Sequence, residues 1–178
     1  MKKIVLAVGS SISAYKSCDL ARLFIKDGYD VYVVLTENAT KLVSPLTLEA
    51  LTKNPAYTDK TLWEKHEMGH ITLKDDASLF LAAPATANMI GKFANGIADD
   101  LVSTTFLAMK CPVLIAPAMN PNMYSHPAVQ FNIKKLVGWG VKFVEPEEGP
   151  VACGDEGKGR LADINEIYRM AVNVIEGE

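Results

Sequence analysis

Cys153 is the one thiol of the chain that does not stand on an apolar element. It lies in Pro150-Val151-Ala152-Cys153-Gly154-Asp155-Glu156-Gly157-Lys158-Gly159-Arg160. A thiol in such a stretch is a candidate catalyst, although a loop cysteine without activating neighbours is ordinarily a bystander. Cys18 falls on a helical pattern and Cys111 precedes a strand, which suits inert packing. The histidines are His66, His70 and His126. His66 and His70 are four apart, but Gly69 between them argues against a helix, so no metal site is expected. His70, with Gly69 before it and Ile71 and Leu73 after it, reads as anchored at the edge of the core.

Three further segments carry small and polar side chains. Gly9-Ser10-Ser11-Ile12-Ser13 joins an apolar run to a helix start, where free N–H groups and the helix dipole favour an anion. It is neither GxGxxG nor a Walker A loop, and an ordinary N-capped turn explains it equally well. Pro84-Ala85-Thr86-Ala87-Asn88, followed by Asn95-Gly96 and Asp99-Asp100-Leu101, is a second strand end that opens a helix. Beside the first it would make a shared cradle, with Thr86 and Asp99 as helix caps. In Ala116-Pro117-Ala118-Met119-Asn120-Pro121-Asn122-Met123-Tyr124, two prolines pin the backbone. A rigid loop that presents an amide suits a carboxylate or amide ligand, and it would also serve as a plain connection.

The elements that must position these groups follow from periodicity. Ile4 to Val8 is a continuous apolar run ending at Gly9, as in a strand buried on both faces. A helix follows to about Lys26, with Ile12, Tyr15, Leu20, Leu23 and Phe24 near helical spacing, and stops at Gly28. Val31 to Leu35 is a second strand, with Thr36-Glu37-Asn38 at its C-terminal end. Pro45 opens a short helix through Leu51. Residues 54 to 70 carry no decisive pattern. Leu79 to Ala83 is a strand stopped by Pro84. Helices are expected over Thr86 to Phe93 and Asp99 to Met109. Pro112 to Ala116 is a strand stopped by Pro117. Pro127 to Val137 reads as helix, Val141 to Val144 as strand, 145 to 160 as a Gly- and Pro-rich loop, and 163 to 176 as a last helix. The long glycine-rich loop would be a lid or disordered. Strands alternating with helices predict an α/β chain with a doubly wound parallel sheet. The expected architecture is a three-layer α/β/α sandwich of flavodoxin or Rossmann type, one domain over 1–178. Ligands in such folds bind at the C-terminal strand ends.

Composition narrows the function classes. The chain has 178 residues, with 18 Lys+Arg against 21 Asp+Glu. This balance leaves no broad basic surface, so nucleic acid is not an expected partner. No CxxC spacing occurs among the three cysteines, so neither a disulfide framework nor a cysteine zinc site is expected. Reduced thiols and an N-terminal apolar run too short to span a bilayer predict a cytoplasmic protein with no membrane partner.

These motifs, in this order, resemble the flavin-containing cysteine decarboxylases. The residues that carry the likeness are Gly9-Ser-Ser-Ile-Ser-Ala-Tyr-Lys16, Gly69-His70-Ile71, Pro84-Ala-Thr-Ala-Asn88 with Asn95-Gly96 and Asp99-Asp100-Leu101, Pro117-Ala-Met-Asn-Pro-Asn-Met-Tyr124, and Ala152-Cys-Gly-Asp-Glu-Gly-Lys-Gly-Arg160. The resemblance implies FMN held by Gly9, Ser10 and Ser11, by Thr36, Glu37 and Asn38, by Thr86, Ala87, Asn88 and Met89, and by Ala118. It implies His70 as active-site base and Cys153 as the acid that protonates the last intermediate. Asn120, helped by Met123, would bind the carboxylate or amide of a small-molecule substrate, 4′-phospho-N-pantothenoyl-L-cysteine. It also implies a homo-oligomer built on trimers, as trimer or dodecamer, and in many organisms fusion to a phosphopantothenate–cysteine ligase domain.

Two other readings share the fold. A non-catalytic flavin-binding regulator would not need His70, Asn120 and Cys153 together. A nucleotide-dependent dehydrogenase would use Glu37 on a ribose, but Glu37 lies 28 residues after Gly9, against roughly 20 after the fingerprint, and the glycines do not match. A peptidyl-cysteine decarboxylase is the related enzymatic alternative.

Overall fold

A computed structural model of the chain describes residues 1–64, 69–150, 154 and 156–177, with the side chains of 62–64, 69 and 70 left aside. Cys153 and His66 lie outside the described residues, and of His70 only the backbone is described. The central sheet has six strands: β1 (Lys3–Val8), β2 (Asp30–Leu35), β3 (Ala56–Tyr57), β4 (Ala77–Ala85), β5 (Val113–Pro117) and β6 (Lys142–Phe143). Their order is β3-β2-β1-β4-β5-β6, and every pairing is parallel. The chain therefore winds outward in both directions from β1, and the crevice between the ends of β1 and β4 is the switch point.

Both faces of this sheet are covered, which explains the unbroken apolar runs. Along β1, Ile4, Leu6 and Val8 enter one core while Val5 and Ala7 enter the other. The first core is closed by α1 (Lys16–Lys26), α2 (Pro45–Thr52) and α9 (Ile164–Glu176) through Leu20, Phe24, Leu48, Ile167 and Ala171. The second is closed by α4 (Gly69–Lys74), α5 (Ala87–Asn95), α6 (Leu101–Ala108) and α8 (Pro127–Gly138). Within it Phe93 stacks on Phe106 at 4.1 Å between centroids, and both meet the edge of Phe80. Among the described residues no helix is long and apolar enough to cross a membrane.

Several expectations are corrected. Pro84 does not stop its strand: β4 runs on to Ala85 through a cis Ala83–Pro84 peptide. Past the proline the strand stays tied to the end of β1, because the Pro84 carbonyl accepts the Gly9 N–H at 2.9 Å. Residues 54 to 70, left without a pattern, contain β3 and α3 (Asp59–Glu64) and run into the start of α4. These pieces are too short to show a period. Residues 145 to 160 are not simply a loop: β7 (Glu147–Pro150) pairs antiparallel with β8 (Glu156–Arg160). Glycines there replace the alternating apolar residues that reveal a strand. The Asn120 segment likewise includes a short helix, α7 (Pro121–Ser125), with Pro121 at its first position.

The cap of α6 is Asp100, not Asp99. The Asp100 carboxylate accepts from the Ser103 N–H at 2.7 Å, and the Ser103 hydroxyl closes the capping box. Lys92 reaches both Asp99 and Asp100 at 2.6 Å. Burial by itself would raise the Asp100 carboxyl, but Lys92 and Ser103 outweigh it and hold the group below its ordinary 3.8. Asp100→Ala is expected to lower stability by about 1–2 kcal/mol, read as a shift in urea midpoint at neutral pH. The sign with pH follows from the depressed value. The stabilisation is present above 3.8 and is lost as pH falls through the folded-state value, so the gap between wild type and variant should close in acid. A gap that stays constant down to strongly acidic pH would refute the carboxylate's part.

Candidate active site

The crevice at the β1/β4 switch point is a cavity of about 740 Å³, within the range of small-molecule sites. One wall is the turn after β1. There Ser11 caps a single 3-10 turn, Ile12–Tyr15, by accepting from the Ser13 N–H at 3.3 Å. The Ser11 and Ser13 hydroxyls lie 3.0 Å apart. Facing it is the start of α5, where Thr86 Oγ1 accepts from the Met89 N–H at 3.3 Å. Ala87 and Asn88 follow on its exposed first turn. The third wall carries Ala118, Met119, Asn120 and Met123, and the fourth is Pro150 with the Gly159–Leu161 stretch.

Gly9 lies behind the cavity rather than in its lining. A methyl group there would strike Met89 Sδ and come within 2.7 Å of the Pro84 carbonyl oxygen. The bare backbone thus lets the two strand ends close up and places both turns side by side. Met89 itself is buried at 2% exposure and packs in the core. Its part is to back Gly9, so it does not offer its side chain to a ligand in the cavity.

Of the residues the sequence singled out, Ser10, Ser11, Thr86, Ala87, Asn88, Ala118, Asn120 and Met123 come together around this one space. Thr36, Glu37 and Asn38 do not line it. Within the turn after β2, Thr36 Oγ1 accepts from the Ala39 N–H and Asn38 Oδ1 accepts from Lys41. Asn95-Gly96 and Asp99-Asp100 also stand apart, at the α5–α6 connection. The His70 backbone lies in the first turn of α4.

Asn120 is held by local chemistry. Its Oδ1 accepts the Asn122 N–H at 2.8 Å as the cap of α7, which orients the amide. The ribbon is seated on the same wall: the Met119 N–H donates to the Gly159 carbonyl at 2.9 Å. Tyr124 Oη lies 3.4 Å from Glu145, which also pairs with Lys158. Burial first, and then Glu145, push the Tyr124 hydroxyl above its ordinary value. Burial likewise raises the thiols of Cys18 and Cys111, in keeping with packing roles for both.

Other lining residues were not singled out by sequence. Ile12 and Tyr15 read as the start of a helical apolar stripe, yet they are 65% and 59% exposed at the cavity mouth. The 3-10 turn has three residues per turn, so the face they present is rotated away from that of α1. Lys16 and Arg160 end two of the motifs that carry the family resemblance, but nothing local marks either as lining a cavity.

The donor set suits an aromatic ring system that carries a phosphate. Serine hydroxyls and the start of a helix meet an anion, while Ile12, Met119, Met123 and Leu161 offer apolar contact. Among the described residues no group of His, Cys, Asp and Glu is placed to hold a metal ion.

Comparison with known proteins agrees with this geometry. The family model Flavoprotein matches residues 1–176. The coenzyme A biosynthesis bifunctional protein of Bacillus subtilis (strain 168) is 48% identical over 172 residues, 96% of this chain and 42% of its own length. The chain thus spans less than half of that bifunctional relative. A probable phosphopantothenoylcysteine decarboxylase of Streptococcus mutans is 44% identical over 171 residues, which cover 94% of this chain and 96% of that protein. Among solved structures, an FMN-dependent cysteine decarboxylase from thioviridamide biosynthesis superposes with a TM-score of 0.85 at 26% identity, covering 99% of each chain.

Proposed function

The chain belongs to the Flavoprotein family, and on that premise we propose that it is an FMN-dependent decarboxylase of 4′-phospho-N-pantothenoyl-L-cysteine. Its product would be 4′-phosphopantetheine, on the way to coenzyme A. The observation that carries the reading is the single cavity in which the two hydroxyl-bearing turns face Asn120 and Met123. The names of the Streptococcus mutans and Bacillus subtilis relatives support the substrate and the pathway. The FMN-dependent structural neighbour supports the cofactor.

Ser10, Ser11 and the Thr86–Asn88 turn would hold FMN together with Ala118, with Gly9 admitting the close approach of the two turns. Thr36, Glu37 and Asn38 would act at the margin of the flavin. Bound there, FMN would supply two-electron redox chemistry, an acceptor for the pair lost as the CH2–SH group becomes a thioaldehyde and a donor of that pair after loss of CO2. A thioaldehyde is the electron sink a bare cysteine carboxylate lacks. The electrons of the breaking C–C bond move onto sulfur as an enethiolate. His70, at the start of α4, is assigned the proton lost in the oxidation. Asn120 holds the carboxylate end, with Met123 against the arm. Cys153 is assigned the proton that accompanies reduction of the enethiol.

The reading extends to assembly. The protein acts as a homo-oligomer built on trimers, in the cytoplasm, alone or as the N-terminal part of a chain that continues into the cysteine ligase.

The test is anaerobic turnover of 4′-phospho-N-pantothenoyl-L-cysteine by the flavin-loaded protein, with CO2 and thiol product both measured. The expected result is one CO2 per 4′-phosphopantetheine. Cys153→Ser is expected to release CO2 and stop at the enethiol. Full turnover by that variant would remove Cys153 from the mechanism, and a wild-type protein that releases no CO2 would overturn the whole reading.

A further inference from the structure

The chain carries more acidic than basic residues, yet among the described residues no acid lines the cavity, while Lys16 and Arg160 both do. A cleft lined by one sign of charge concentrates the opposite ion. The two cations stand on different walls. Lys16 opens α1 directly after the 3-10 turn that follows β1, and its charge adds to the Asn165 hydrogen bonds that hold Asp163 below its ordinary value. Arg160 ends β8 on the ribbon.

The ribbon belongs to the substrate side. Gly159 is bonded to the Met119 N–H, and a side chain at position 159 would meet the Met119 carbonyl, Pro121 N at 3.3 Å and Asn120 C at 3.4 Å. Arg160 follows Gly159 in this wall of the cavity. Its Nε faces Glu147 Oε2 across the ribbon at 3.4 Å. That contact engages one edge of the guanidinium; the group's forked edge has the geometry that grips a phosphate bidentately.

In the decarboxylase reading the substrate has two anionic ends. The carboxylate lies at Asn120. The phosphate lies beyond an arm about as long as three extended residues, roughly 10 Å, and so needs a separate partner. The serine turn and the start of α5 would meet the cofactor's phosphate. We propose that Arg160 binds the substrate's distal phosphate and sets the preference for phosphorylated over dephosphorylated pantothenoylcysteine. The proposal rests on that decarboxylase reading.

The experiment measures kcat/KM for 4′-phospho-N-pantothenoyl-L-cysteine and for N-pantothenoyl-L-cysteine, by CO2 release from flavin-loaded wild type, Arg160→Gln and Arg160→Lys. Flavin content and melting temperature are recorded for each. The ratio of the two values is expected to fall about 10- to 100-fold in Arg160→Gln, the loss lying in KM for the phosphorylated substrate. Arg160→Lys, which keeps the charge without the fork, should fall between. An unchanged ratio in folded, flavin-loaded Arg160→Gln overturns the proposal. So does loss of flavin from that variant, which would give the arginine to the cofactor's phosphate. A wild type that decarboxylates neither compound overturns the decarboxylase reading itself, and Arg160's role with it.

Discussion

Gly9→Ala is expected to purify with little or no flavin and to melt well below wild type. The added methyl points at Met89 Sδ and at the Pro84 carbonyl oxygen 2.7 Å away. The methionine end is flexible and can yield. The carbonyl cannot, because it accepts the Gly9 N–H and so ties the end of β1 to β4. Relief requires the two strand ends to move apart, and overpacking of this kind costs about 1–3 kcal/mol. The same movement separates the Ser10–Ser13 turn from the start of α5, and with it the two halves of the proposed flavin site. Visible absorbance of the flavin in the purified variant, with a thermal melt, reads both effects. A variant with wild-type melting temperature and full flavin would show that the close approach does not matter.

Gly159→Ala is expected to do the reverse: keep its flavin and lose turnover. Here the methyl would strike the Met119 carbonyl and crowd the Asn120–Pro121 backbone. All of these are main-chain atoms held by the cap of α7, so the ribbon must lift. Lifting breaks the bond from the Met119 N–H to Gly159 and shifts Arg160 relative to Asn120. The turns after β1 and β4 are untouched. Misplacement of reacting groups by about 1 Å costs on the order of 100-fold in rate. The check is kcat/KM at full flavin occupancy. Retained activity would mean that the ribbon is not part of the catalytic wall, and loss of flavin would place its effect elsewhere.

Much of the scaffold was legible from residues alone. The apolar runs at Ile4–Val8, Val31–Leu35 and Leu79–Ala83 are strands because a parallel sheet covered on both faces admits nothing polar on either side. The helices α1, α2, α5, α8 and α9 have stop or cap residues that act locally, such as Gly28, Pro45, Thr86 and Asp163. The ends of β1, β4 and β5 each pass from apolar to small polar residues within a step, and all three border the cavity.

Other features had no local signature. Asp99 and Asp100 are equivalent as sequence, and only the Ser103 contacts single out Asp100 as the cap. The pairing of Gly149 with Gly157 joins two segments with no side chains to declare a face. Thr36, Glu37 and Asn38 sit at a proper strand end, but the Thr36 hydroxyl and the Asn38 amide make hydrogen bonds within the turn that follows.

The sequence by itself determined the long buried strands, the capped helices and which strand ends are chemically equipped, because capping, turn geometry and two-sided burial act between neighbours in the chain. The tertiary structure decided which of those ends share a space. The order β3-β2-β1-β4-β5-β6 puts β1 beside β4, across about seventy residues, and only that pairing brings Ser11 to face Thr86. It also decided that Arg160 borders the cavity and that Ile12 and Tyr15 stand at its mouth rather than in the core. Parallel pairing and close backbone approach are long-range events, set by how whole layers pack, and no window of local sequence contains them.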